Sequence, residues 1–225
     1  MHRTPTTFKL VATLVAVALA SIGAAQTTPA TIRLVHAMPG AGVATLYVAG
    51  TDVAQASVGS AGDGFVEVGA SAPEIVVDVE GIQVAAEAPD LRAGFRYLAV
   101  LYRSDVGEPQ VVVLPGLVGR MGQFGHLRTV NLVPTLTEVR TFLVEDCTGP
   151  YRETAGSFAR AVPYGSWEYN HNGPLTVCAG STPIVPSFAR PSDPEAPWLL
   201  MNRSLSIYVA LGVDGPEVLF IDDTP

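Results

Sequence analysis

Ile32-Arg33-Leu34-Val35-His36-Ala37-Met38-Pro39 is a β-forming run with an Arg near its start, His near its end and a closing proline. Leu127-Arg128-Thr129-Val130-Asn131-Leu132-Val133-Pro134 repeats that shape, with Asn where the first copy has His. The likeness extends outward on both sides. Val139–Val144 matches Val43–Val48, and Leu175–Cys178 matches Glu74–Val79. Phe158–Val162 and Ser166–Tyr169 stand where Val53–Val58 and Phe65–Val68 stood. Near the end, Leu205–Leu211, a turn at Asp214-Gly215-Pro216-Glu217 and Val218–Ile221 replay Tyr97–Tyr102, a turn at Asp105–Pro109 and Val111–Leu114. Landmarks that keep their order and rough spacing over the whole length indicate a tandem duplication.

Within each copy the pattern is that of strands. Ile75, Val77 and Val79 alternate with Glu74, Asp78 and Glu80, the period of two expected of a sheet with one wet side. Turn signals recur at Gly50-Thr51-Asp52, Gly59–Gly64, Gly81 and Ser104–Pro109, and the stretch from Thr31 to Leu114 has no sustained helical period. Short strands at this spacing predict an all-β protein, two tandem immunoglobulin-like antiparallel β-sandwich domains. The expected boundaries are 26–115 for the first, 116–125 for a Gly-rich linker and 126–225 for the second. Ser181–Trp198 carries five prolines; proline at that density cannot join a central strand, so a long exposed loop is expected there.

Residues 1–25 read differently. His2, Arg3 and Lys9 precede an apolar run from Leu10 to Ile22, and Gly23-Ala24-Ala25 supplies small residues before Gln26. This is the layout of a cleaved signal peptide, and the run is short for the ~20 residues of a spanning helix. The expectation is a periplasmic or extracellular protein with no membrane insertion of the mature chain. Without Arg3 and Lys9, the 13 basic residues fall to 11 against 21 acidic ones, a net charge of −10. Such a chain has no electrostatic attraction to nucleic acid or an anionic lipid surface. Cys147 and Cys178 are the two cysteines, and in an exported protein they are expected to form one disulfide.

Chemistry is harder to find. The G-x-S-x-G elbow of serine hydrolases is absent from the sequence. His36, His126 and His171 lack the spacing of metal ligands. The acid pairs Glu145-Asp146 and Asp222-Asp223 are weak calcium signals, so no cofactor or metal is expected. His36 and its counterpart Asn131 share the ability to donate and accept hydrogen bonds; a catalytic base would not survive replacement by Asn in a working duplicate, and a tie from strand end to loop fits both. Arg33 and Arg128 are read as solvent-facing strand positions. Tyr164, Trp167 and Tyr169, with Phe188, Arg190 and Trp198 of the Pro-rich stretch, are the candidate binding surface, because aromatic faces stack on sugars and anchor protein contacts.

The opening stretch, with Leu46-Tyr47-Val48-Ala49-Gly50, resembles an exported family whose members begin R-V-V-H-A-S-P-D-A-P and continue V-Y-V-D-G, a family known only as a domain of unknown function. Val218–Pro225 is similar to that family's closing strand. Met38 stands where the family has Ser, and Gly40-Ala41 where it has Asp-Ala. The likeness implies tandem β-sandwiches outside the cytoplasm and brings no catalytic residues. The layout also resembles the periplasmic accessory protein of alginate O-acetylation, through Leu127–Leu132 and Arg203–Val209. That resemblance implies a non-enzymatic adaptor among other cell-envelope proteins, including an acetyl-transfer complex. The alternatives are a carbohydrate-binding or adhesive surface module and, more remotely, an acetyl esterase or acyltransferase.

Overall fold

A computed structural model describes residues 28–69, 73–87, 91–117, 125–142, 146–148, 151–155, 158–160, 165–167, 175–185, 203–222 and 224. The protein is all-β. In its first half the strands are β1 (Ala30–Ala37), β2 (Ala44–Val48), β3 (Thr51–Ala56), β4 (Ser60–Ala61), β5 (Val66–Val68), β6 (Ile75–Val79), β7 (Ile82–Ala85), β8 (Arg96–Arg103) and β9 (Pro109–Pro115). The second half has β10 (Gly125–Asn131), β11 (Val139–Phe142), β12 (Tyr151–Ala155), β13 (Gly165–Trp167), β14 (Thr176–Ala179), β15 (Thr182–Val185), β16 (Ser204–Leu211) and β17 (Pro216–Asp222).

The two halves have the same topology. In the first, one sheet runs β4-β1-β8-β9, with β5 also on β1, and the other runs β3-β2-β6-β7. In the second, the sheets run β13-β10-β16-β17 and β12-β11-β14-β15. Each half also carries one parallel pair at the centre of a sheet, β1 with β8 and β10 with β16. The hairpins follow from turn chemistry. Ala49-Gly50 and Glu80-Gly81 both have positive φ at both residues, the backbone that two-residue hairpins require. The first of these turns lies one residue earlier than Gly50-Thr51-Asp52 implied, so β3 begins at Thr51.

Four layers result. Ile32 and Leu34 of β1 and Tyr97, Ala99 and Leu101 of β8 pack on Leu46, Ile75, Val77 and Val79 of the outer sheet. Leu127, Ile207 and Val209 pack similarly on Val139, Val177 and Leu175 in the second half. The alternate residues of the inner strands form a third core between the halves. It joins Val35, Ala37, Leu98, Val100, Tyr102 and Leu114 to Val130, Leu132, Tyr208, Ala210 and Ile221. Tyr102 and Phe158 meet edge to face across it, ring centroids 5.6 Å apart. Strands buried on both faces read as continuous apolar runs, and Leu98-Ala99-Val100-Leu101-Tyr102 is such a run.

Three segments differ from expectation. Phe158–Arg160 is not a strand. The counterpart of β3 is β12, which pairs with β11 as β3 pairs with β2, while Ala159 N donates to Asn131 O (2.8 Å) as Gly59 N donates to His36 O (2.9 Å). Thr182–Val185, expected as loop, is strand β15. It is an edge strand, a position in a sheet where Pro183 is tolerated. Finally, Ser60–Ala61 forms a short strand inside the Gly59–Gly64 stretch.

Between β4 and β5 the chain bends at Gly62, whose N donates to Leu34 O (2.9 Å). A Cβ on Gly62 would lie 2.9 Å from the Gln55 carbonyl oxygen, and backbone cannot yield as a side-chain tip can. Gly62→Ala is therefore expected to destabilise the fold by about 1–3 kcal/mol, measured by urea denaturation.

Candidate functional site

The residues singled out at the end of β1 and β10 are occupied by the fold itself. His36 is buried. Its Nδ1 accepts from Met38 N (3.3 Å), and its Nε2 bonds the Gly42 carbonyl oxygen at 2.7 Å. Asn131 repeats the arrangement with an amide: Oδ1 accepts from Val133 N (2.9 Å) and Nδ2 donates to Leu136 O (2.7 Å). A side chain that accepts from the N–H two residues on and donates to the carbonyl five or six residues on is the common requirement. His and Asn both meet it, so the tie between strand end and following loop is what the duplicate retained.

The Arg pair is a correction. Arg128 is 1% exposed, not solvent-facing, because its side of β10 is covered by the first half. Its Nε donates to Ser206 Oγ (2.8 Å), Nη1 to the Pro115 carbonyl oxygen (2.7 Å) and Nη2 to Tyr208 OH (3.4 Å). Arg33 is half-buried; its Nε donates to Gly62 O (2.7 Å), its Nη1 to Thr224 O (3.2 Å), and its guanidinium lies 5.8 Å from the centre of the Phe65 ring. Each Arg thus reaches the chain just at or beyond the last strand of the other half. The two halves meet through equivalent faces in a pseudo-twofold manner. Nothing in the one-dimensional pattern separates Arg128 from a wet strand position except Tyr208 and its apolar neighbours on β16, six strands later in sequence.

The disulfide expected from the sequence is present between Cys147 and Cys178, which are 31 residues apart. Cys178 and Thr176 lie on the outer side of β14, opposite the core residue Val177, and both are buried, as is Phe142 beside them on β11. The same face of the first half, at Thr45, Tyr47, Val76 and Asp78, is only half-buried. The outer sheet of the second half is therefore covered by its own chain, with Cys147 pinned onto it.

Of the candidate binding residues, Tyr164, Tyr169, Phe188, Arg190 and Trp198 lie outside the described residues, as does His171. Trp167 falls on the edge strand β13, opposite Gly125 of β10; the structure does not bring these six together as a described surface. Of the acid pairs, Glu145 and Asp223 lie outside the described residues, and Asp146 and Asp222 serve turns. Asp146 Oδ1 accepts from Thr148 N (2.8 Å) and Thr148 Oγ1 (2.7 Å), while Asp222 accepts from Thr224 N (3.0 Å) and Arg203 Nη1 (2.6 Å). Burial alone would raise the Asp222 carboxyl, but bonds from Thr224 and the charge of Arg203 outweigh it and hold it below its ordinary value. Among the described residues no three metal-ligating side chains converge, and no helix is long and apolar enough to cross a membrane.

No protein-family model matches the chain, and no curated protein matches it.

Proposed function

We propose that the chain is an exported, non-enzymatic cell-envelope protein, a periplasmic adaptor that supports O-acetylation or assembly of an alginate-type exopolysaccharide by protein–protein contacts. The observation that carries this reading is the use made of the reactive-looking side chains. His36, Asn131, Arg33 and Arg128 bond backbone and side-chain groups of their own fold, which suits a rigid body whose work is done by its outer loops. The disulfide suits an oxidising compartment. Deleting the gene should lower the acetyl content of the secreted polymer and leave its yield unchanged; an unchanged acetyl content would contradict the adaptor role. Turnover of a chromogenic acetyl ester by the pure protein would contradict its non-enzymatic part.

One observation favours the second reading, a carbohydrate-binding module. The outer face of the first half is uncovered, and on it Tyr47 sits opposite Asp52 and Val76, with Thr45 opposite Gln55 and Asp78. An aromatic ring set among hydrogen-bonding side chains is the surface a sugar ring stacks on. Retention on a neutral immobilised polysaccharide, lost on Tyr47→Ala, would support that reading.

A further inference from the structure

We infer that the Met38–Gly42 loop is a pH-sensitive latch on the contact between the two halves, with His36 as the group that releases it. Four ties hold the loop. His36 provides two, to Met38 N and Gly42 O. Glu80, in the β6–β7 turn, accepts from Gly42 N (2.9 Å), and Arg103, at the end of β8, donates from Nη2 to Pro39 O (3.2 Å). The loop in turn lies against the other half: a Cβ on Gly40 would come within 3.3 Å of Val213 Cγ2 in the β16–β17 turn. Val213 is 78% exposed, so this contact lies at the surface, where a change in the loop alters what a partner meets.

The hydrogen bonds fix the state of the ring. Nδ1 faces an N–H donor and must carry a lone pair; the proton therefore sits on Nε2, pointing at the Gly42 carbonyl. A second proton on Nδ1 would set N–H against the Met38 N–H and break that tie. Burial favours the neutral ring and lowers the His36 pKa below its ordinary 6.5, partly opposed by the hydrogen bonds to backbone carbonyl groups, Gly42 first, and by the charge of Glu80. Among the described residues, Glu80 and Arg103 are the charged side chains tied to this loop. A folded pKa below the open-loop value means the open loop binds more protons, so closure is complete above the ordinary imidazole value and weakens as pH falls through the window below it. The second half supplies the contrast, because Asn131 holds its loop with the same geometry and cannot titrate.

The test is amide hydrogen exchange in the intact mature chain from about pH 7.5 to 4.5, corrected for the intrinsic rate. Protection of the Met38 amide should fall about tenfold per pH unit below ~6.5 until the folded pKa is passed, while protection of the Val133 amide holds. His36→Asn, which copies the Asn131 arrangement, should keep the loop closed at neutral pH and abolish the acid loss. Met38 protection that ignores pH, or an acid loss that persists in His36→Asn, would overturn the latch. Imidazole nitrogen shifts of the unsubstituted chain give a check that needs no variant. An Nε2–H tautomer titrating below ~6.5 is expected, and an Nδ1–H tautomer or a midpoint at or above that value would overturn it.

Discussion

Arg128→Ala is expected to lower the unfolding free energy by roughly 3–5 kcal/mol, read as a shift in the urea midpoint. The side chain is buried between the halves, and its removal leaves three acceptors, Pro115 O, Ser206 Oγ and Tyr208 OH, without its donors. Hydrogen bonds from a charged donor contribute roughly 1.5–3 kcal/mol each, and the lost aliphatic stem adds a packing defect. Arg128→Lys should recover little, since an ammonium cannot reach three directions from the guanidinium plane. The equivalent change Arg33→Ala should cost roughly 1–2 kcal/mol, because Arg33 is half-exposed and water can replace it at Gly62 O and Thr224 O. Equal losses at the two positions would contradict the burial difference on which this account rests.

The second large effect is the disulfide. Reduction, or Cys147→Ser, is expected to cost roughly 3–4 kcal/mol, because an oxidised loop of about this length has less entropy to gain on unfolding. The bridge encloses β12 and β13, both edge strands, which have neighbours on one side only and should loosen first. It also holds Cys147 over the outer face of β14, where Thr176 and Phe142 are buried. The double variant Cys147→Ser with Cys178→Ala should therefore cost about as much as Cys147→Ser alone. Unaltered stability on complete reduction, with free thiols verified by titration, would contradict this role.

These two features differ in how far they could be read in advance. The disulfide was legible from the count of two cysteines together with the expectation of export, and the duplication from landmarks repeated in order. The all-β class follows from alternation such as that of Ile75 to Val79. The tie made by His36 was legible because its duplicate carries Asn131, which narrows the role to what both side chains can do. Arg128 was not legible, because period-two alternation places it on the outer side of its strand without saying what lies outside. Here the outside is the other half, and the signal lay in Tyr97–Tyr102 of β8 and Ile207–Leu211 of β16, runs with apolar or aromatic residues on both faces. β15 was missed because five nearby prolines argue against strand, and only the sheet order shows that Thr182–Val185 is an edge. The strand β12 was missed for a related reason: Tyr151-Arg152-Glu153-Thr154-Ala155 is polar, as an edge strand can be. The six aromatic and Arg candidates of the second half come from composition alone, which says nothing about convergence in space.

The two copies share a core and form one body. Val35, Leu98 and Val100 of one half and Val130, Tyr208 and Ile221 of the other are buried in a single cluster. Scanning calorimetry of residues 26–225 tests this. One transition is predicted, with calorimetric and van't Hoff enthalpies in a ratio of about one. Two separable transitions, each with the enthalpy of half the chain, would contradict it.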